Sequence, residues 1–134
     1  MLGSIISFIA EHMGYLWHGA RFRIVGSEVS TSNGGDAVLM LESDALRLRF
    51  TRDKTQLFLH LQPVTGDHKW FSIDVVRRHF TGTAERSSLL DISFAEFLRD
   101  SMEEIEQRFA SAEWPATRRE LHRIEVARAK ELFG

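Results

Sequence analysis

Apolar side chains recur at every second position on both sides of one short polar turn, and this pattern constrains the fold more than any other feature of the chain. The apolar set is Leu46, Leu48, Phe50, Leu57, Leu59 and Leu61. Period-two alternation on both sides of a turn predicts a β-hairpin over residues 46–61, because successive side chains of a strand point to opposite faces. One face of this hairpin is therefore expected to be core.

The other face of the hairpin has a different chemistry. Its side chains are Arg47, Arg49, Thr51, Phe58, His60 and Gln62. Residues 37–42 predict a third strand that is apolar on both sides and adds Val38 and Met40 to this face. The three strands together indicate an antiparallel meander.

Tight turns at Ser43-Asp44 and Asp53-Lys54 would set the register of this meander. The leucine face would then place Leu41 opposite Leu46 and Phe50 opposite Leu57. On the other face the same register predicts Arg49 opposite Phe58 and Arg47 opposite His60. An arginine beside His60 would favour the neutral imidazole.

The segments on either side of the meander predict helices and a further strand. Apolar residues at helical spacing indicate a first helix over residues 4–18, and a strand with a bulge near Gly26 follows. Residues 30–36 have the composition of a turn. Past Pro63, a loop precedes either a short helix capped by Ser72 or a fifth strand over residues 70–75, and the sequence leaves both open.

Two longer helices complete the chain. Ser93 and Glu96 have the spacing of a capping box and predict the start of one helix. Trp114-Pro115 is expected to end it, and a last helix over residues 116–132 has Leu132 on its inner side. The predicted fold is therefore a single α+β domain over residues 1–134. It has an antiparallel meander of about four strands, an N-terminal helix, and two to three C-terminal helices.

Composition narrows the functional classes. The chain has 134 residues, a formal net charge of −2 and no cysteine, which excludes disulfides and thiolate metal sites. A basic excess of the kind that nucleic-acid binding usually requires is missing, so a nucleic-acid partner is not expected. The apolar N-terminus contains Glu11 and His12, so we expect no membrane span, no signal peptide and a cytoplasmic protein.

Catalytic and cofactor motifs are absent from the sequence. The six histidines do not have the compact spacing of a metal site, and phosphate-binding or nucleophile motifs do not occur. We therefore predict no enzyme, no cofactor and no metal. One alternative is a small enzyme whose site gathers His60 with Asp67, His68 or His79. Another is a small-molecule sensor with an apolar pocket near Trp70.

Charge is distributed unevenly between the two last helices. Residues 91–113 contain seven acidic residues and two arginines, and the following helix is basic. The outward acidic positions are Glu96, Asp100, Glu103, Glu104 and Glu106. They could either pair with the basic helix or form an acidic strip that docks a basic protein, since complementary charge steers encounter.

The second sheet face also allows two interpretations. A helix could cover Val38, Met40 and Phe58, which would leave Arg47 and Arg49 at the rim. If the face is open, its mixture of Met, Phe and Arg is typical of protein interfaces. The candidate partner-binding residues are Glu96, Asp100, Glu103, Glu104, Arg47, Arg49, Phe58 and His60.

The order of elements resembles the small cytoplasmic immunity proteins that bacteria encode beside polymorphic or contact-dependent toxins. The features that carry the resemblance are the N-terminal helix, the meander containing Ala45-Leu46-Arg47-Leu48-Arg49-Phe50, the Trp70-Phe71 segment, and an acidic followed by a basic helix. The resemblance implies a non-enzymatic inhibitor that blocks a toxin, such as one with a basic domain, by occupying its active site or substrate groove.

Overall fold

A computed structural model describes residues 2–30 and 36–133 of the chain. Its helices are α1 (Leu2–His12), α2 (Ile73–Thr81), α3 (Ile92–Phe109) and α4 (Trp114–Phe133), with a 3-10 segment at Gly14–Ala20. Its strands are β1 (Arg23–Val29), β2 (Ala37–Glu42), β3 (Leu46–Asp53), β4 (Gln56–Pro63) and β5 (Phe71–Ser72). The strands form one antiparallel sheet in the order β1-β2-β3-β4-β5. The predicted α+β fold is therefore confirmed.

The predicted division between the sheet faces is correct, but both hairpin registers are wrong by two residues. Leu48, rather than Leu46, lies opposite Leu41, and Leu59, rather than Leu57, lies opposite Phe50. Both turns are centred one residue later than predicted, since Ser43 N–H donates to the carbonyl of Leu46 at 2.8 Å in the first turn and Asp53 pairs with Gln56 across the second. A shift of two residues keeps every side chain on its face. The alternation of apolar residues therefore cannot distinguish the two registers.

The leucine face of the sheet is the core of the molecule. Its central side chains are buried together with residues of α1 and α3. Tyr15 donates a hydrogen bond to the carbonyl of Ala95 at 2.6 Å, which ties the 3-10 segment to α3. The chain around α3 runs along the length of the sheet, since Leu90, two residues before the helix, donates its N–H to the carbonyl of Leu57, and Ser43 donates to Glu106 near the other end of the helix.

The N-terminal helix is shorter than predicted. It ends at His12, and the chain continues as the 3-10 segment, in which His18 and Gly19 leave helical geometry. Met13 and Leu16 are still buried because a spacing of three places both on one side of a 3-10 turn as well as of an α-helix. The predicted bulge in β1 is confirmed, since the register shifts between Ile24 and Gly26.

The 70–75 segment combines the two alternatives that the sequence left open. Phe71–Ser72 pairs with β4, and α2 begins at the next residue. Ser72 stands at the N-cap but does not cap with its side chain, which instead donates to Asp74. Gly82 ends α2 in the left-handed conformation that glycine adopts readily.

Three predictions for the last helices were wrong. Asp91 caps α3 by accepting from the N–H of Phe94 at 3.0 Å, whereas Ser93 lies inside the helix. Trp114 begins α4 rather than separating the helices, because proline is tolerated in the first turn of a helix. Leu132 is 69% exposed and does not face the core. The turn predicted for residues 30–36 lies outside the described residues except for its ends, where Ser30 N–H donates to Asp36 at 2.8 Å.

Candidate functional site

The second face of the sheet is half exposed along β2, β3 and most of β4, where Gln62 is buried, and β1 is exposed on both faces. Burial alternates along β2, and along β3 as far as Thr51, so that the side chains on this face are intermediate while those on the leucine face are buried. Its half-exposed residues include Val38, Met40, Arg47, Arg49, Thr51, Phe58 and His60. Within the described part of the chain, α1 and α3 pack on the opposite face. We call this half-exposed surface the open face.

The open face ends beside β5, where the first turn of α2 and the C-terminal half of α4 meet. Arg128 donates to both carboxylate oxygens of Asp74 at 2.8 and 2.9 Å, and Asp74 is only 4% exposed. Lys69 forms an ion pair with Glu125 at 2.8 Å nearby. Ser72, opposite His60, is buried at this border. The charged groups at this margin of the sheet are therefore paired with one another.

Two arginines of the open face are neutralised by one carboxylate. Arg47 and Arg23 each donate to Glu42 at 2.7 Å, on different carboxylate oxygens. Arg47 also donates to Gln62 at 3.2 Å, the residue opposite it in the observed register. The predicted pairing of Arg47 with His60 is therefore wrong.

Arg49 has a different environment. Its guanidinium lies over the ring of Trp70, with 4.6 Å between the guanidinium carbon and the ring centroid. The predicted contact with Phe58 is wrong, since Phe58 pairs with Thr51. Burial lowers the pKa of Arg49, because removing water disfavours its charged form. Arg49 is thus a partly desolvated cation held on an aromatic ring.

His60 lies directly opposite Arg49 and is kept neutral. Burial, followed by the positive charge of Arg49, lowers the pKa of His60 to about 4. The predicted preference for neutral imidazole is correct, although the arginine responsible is Arg49 rather than Arg47. Nδ1 of His60 is buried without a hydrogen-bond partner among the described residues.

A shallow depression of about 370 Å³ lies on the open face across the first three strands. Its lining combines an apolar floor, two hydroxyls and two opposite charges. The lining residues are Ser27, Glu28, Val38, Met40, Arg49 and Thr51. Gly26 lies beneath the end of Met40, where an added Cβ would stand 3.0 Å from Cε of that side chain. The depression is open to solvent, and it differs from the enclosed apolar pocket near Trp70 that a sensor would require.

The four acidic candidates lie on the other side of the molecule. Glu96, Asp100, Glu103 and Glu104 are exposed on α3, and their helical positions are opposite to those of its buried residues. We call this surface the acidic face of α3. Glu106 is not part of it, because it accepts hydrogen bonds from Arg21 and Ser43. The sequence-based candidates therefore divide into two surfaces that the sheet and its core separate.

The basic helix does not neutralise the acidic face of α3 in the described structure. Arg128 and Arg78 form ion pairs that join α4 to α2, with Asp74 and Glu131 as their acidic partners. Arg118 instead donates to Asp67 in the loop before β5. Asp100 and Glu96 contact only Arg99 of their own helix, at 2.9 and 4.0 Å. The intramolecular interpretation of the two charged helices is therefore not what these contacts show.

The residues proposed for an enzyme site lie in separate environments. Asp67 accepts hydrogen bonds from the backbone N–H of Lys69, from Trp114 and from Arg118, and these lower its pKa against the opposing effect of burial. His79 contacts Arg108 at 2.8 Å on the α2 side, where burial and that arginine lower its pKa. Neither Asp67 nor His79 is among the charged groups that act on His60, which are Arg49, Asp74, Arg128 and Glu125. No cluster of three metal-ligating side chains occurs in residues 2–30 and 36–133.

Sequence reasoning missed the contacts that define the open face and its margin beside β5. Trp70 lies in a loop without periodicity, so nothing in the pattern assigned it to Arg49. The ion pair of Asp74 with Arg128 joins positions 54 residues apart, and only the docking of α4 creates it. The one usable signal was the two-residue ambiguity of the register, which left Arg49 opposite His60 as an alternative.

No protein-family model, curated protein or solved structure matches this chain. None of the helices in the described ranges combines the length and apolar character needed to cross a membrane.

Proposed function

We propose that this chain is a non-catalytic protein-binding module that engages its partner through the open face. Its most concrete form is an immunity-like inhibitor that neutralises a toxin by direct binding. One observation carries the proposal, namely that a sheet buried on one face presents Met40, Phe58 and an arginine on tryptophan on the other. Aromatic residues, methionine and arginine are the types enriched at the centres of protein interfaces.

The rigidity of the open face supports an inhibitory role. Its side chains are anchored to strands whose opposite faces form the core, so the backbone is ordered before a partner arrives. Pre-ordering reduces the conformational entropy that binding costs. A pre-ordered surface is suited to covering the rim of a partner's groove.

The charges of this face favour a protein partner over nucleic acid. Arg23 and Arg47 share Glu42, and Glu28 lies on the wall of the depression. Phosphate backbones require several unpaired cations in a row. The open face instead alternates charge with apolar surface.

The acidic face of α3 supports a second candidate surface for a basic partner. Glu103 and Glu104 are exposed and form no ion pair with other described residues. Because this surface lies across the molecule from the open face, one compact partner domain would use one of the two. Substitutions on each surface therefore separate the two modes.

Growth protection tests the proposal. The product of the neighbouring reading frame would be expressed in a bacterial host with and without this protein. We expect arrest by the neighbour alone and recovery with the wild-type chain. The double variant Met40→Ala/Phe58→Ala should lose protection and bind the purified neighbour at least tenfold more weakly, since central interface truncations typically cost 1–2 kcal/mol or more each.

Two matched variants make this experiment decisive. Ile92→Ala truncates an apolar side chain that is 52% exposed on α3, and it should protect like the wild type. Glu103→Lys/Glu104→Lys should also protect if the open face binds, but should fail in a salt-dependent manner if the acidic face binds. A neighbour that causes no arrest, or full protection by the Met40/Phe58 variant with unchanged binding, contradicts the proposal.

A further inference from the structure

We infer that Arg49 is a recognition site for a carboxylate, which an acidic side chain of the protein partner supplies. This inference rests on the proposed binding role of the open face and names the chemistry that the partner brings to it. The geometry around Arg49, His60 and Trp70 carries the argument.

Arg49 is a cation on the open face, and its guanidinium has no hydrogen-bond acceptor among the described residues. Arg23 and Arg47 are matched by Glu42, and Arg128 is matched by Asp74. Arg49 stacks on Trp70 and has no carboxylate or carbonyl acceptor among the described residues. A guanidinium carries five N–H donors, and leaving donors of a partly buried charge unmatched costs free energy. A ligand that supplies two oxygens in one plane would recover that energy.

Trp70 prepares Arg49 for such a ligand. A guanidinium that lies over a ring donates through its edge, because its face is occupied by the ring. The contact also restricts a long side chain that would otherwise lose rotamer freedom on binding. Arg49 is therefore positioned before the acceptor arrives.

The depression beside Arg49 indicates what accompanies the carboxylate. Val38 and Met40 provide an apolar floor, and Thr51 provides a hydroxyl next to Arg49 on β3. This surface fits an acidic side chain that is flanked by apolar residues. Glu28 on the far wall repels a polyanion, which favours an isolated carboxylate over a run of phosphates.

His60 provides an internal reporter of occupancy. The groups that act on its charge are Arg49 and Arg128, which disfavour protonation, and Asp74 and Glu125, which favour it. A carboxylate bound at Arg49 would offset the positive charge next to the imidazole. The pKa of His60 should therefore rise above about 4 on binding, and the shift of its ring resonances with pH would report this rise.

Two matched peptides test the inference without knowledge of the partner. The first is an acetylated, amidated tripeptide with a central glutamate between leucines, and the second has glutamine in its place. We would titrate each into the labelled protein and follow the Arg49 Nε–H, the Trp70 indole N–H and the His60 ring by NMR. We expect saturable shifts with millimolar affinity for the glutamate peptide and at least tenfold weaker binding of the glutamine peptide.

Variants at Arg49 complete the test. Arg49→Lys should bind the glutamate peptide more weakly, because it keeps the charge but loses the planar fork, and Arg49→Met should lose the preference for glutamate. Equal binding of both peptides, or an unchanged preference in Arg49→Met, would overturn the inference. Tighter binding of an oligothymidylate than of the glutamate peptide would overturn it in favour of nucleic acid. If neither peptide binds while Met40→Ala/Phe58→Ala still abolishes protection, the carboxylate site is refuted and the proposed binding function is retained.

Discussion

Two residues, Lys54 and His60, have properties that the hydrophobic pattern of the strands does not predict. Lys54 occupies the left-handed conformation at φ 60° in the turn between β3 and β4. Its N–H donates to Asp36 at 3.1 Å, which ties this turn to the start of β2. The other residue is His60, whose imidazole is held neutral next to Arg49.

Replacement of Lys54 by glycine should stabilise the protein. A side chain in the left-handed region destabilises the folded state by about 1–2 kcal/mol, and glycine removes this strain. The greater conformational freedom of glycine in the unfolded chain offsets about 0.5–1 kcal/mol of the gain. We expect the free energy of unfolding of Lys54→Gly to rise by about 0.5–1 kcal/mol in urea denaturation. Thr55→Gly is the matched control and should destabilise, because the φ of Thr55 is not positive. A loss of stability in both variants would refute the strained turn.

The lowered pKa of His60 predicts a loss of stability in mild acid. Above about pH 6.5 the imidazole is neutral in both states and contributes no pH dependence. Between pH 6.5 and 4 the unfolded chain takes up a proton that the folded chain does not. The free energy of unfolding therefore decreases as the pH is lowered through this window. Allowing for the partial exposure of the ring, we expect a loss of about 1–2 kcal/mol. The comparison of His60→Gln with the wild type in urea at pH 7 and pH 4.5 isolates this contribution, and parallel losses in both proteins would exclude it.

The sequence predicts a strand or helix correctly where one of its faces is buried. The prediction fails at boundaries that depend on a single hydrogen bond. The faces of β2, β3 and β4 were predicted correctly because burial and polarity alternate together. The registers were not, since a two-residue shift leaves the same apolar face. The start of α3 was also missed, because both Asp91 and Ser93 are good caps and the sequence does not decide between them.

The cap of α3 can be tested by two alanine substitutions. Asp91 accepts from Phe94 N–H, whereas Ser93 donates its hydroxyl to Asp91. Asp91→Ala should therefore lower the free energy of unfolding by about 1 kcal/mol, and Ser93→Ala by roughly half of that or less. Thermal and urea unfolding of the two variants provides the comparison. A larger loss in Ser93→Ala would restore the capping box that the sequence predicted.

At the scale of the whole molecule, the structure is a sheet with a core on one side. Sequence periodicity identified which side is apolar, but whether a helix covers the other side depends on where α3 and α4 dock. Those helices run over the leucine face and along the β5 margin. The open face and the acidic face of α3 are consequently opposite surfaces, a separation that no local pattern contains.

Two phenylalanines on adjacent strands test this one-sided core most directly. Phe50 lies on the leucine face and is 1% exposed, whereas Phe58 lies half exposed on the open face. Their truncation to alanine removes the same atoms, so the difference in unfolding free energy measures the difference in burial. We expect Phe50→Ala to cost about 3–5 kcal/mol and Phe58→Ala about 1 kcal/mol in urea denaturation. Equal losses from the two substitutions would show that the second face is covered, and would contradict the open docking surface.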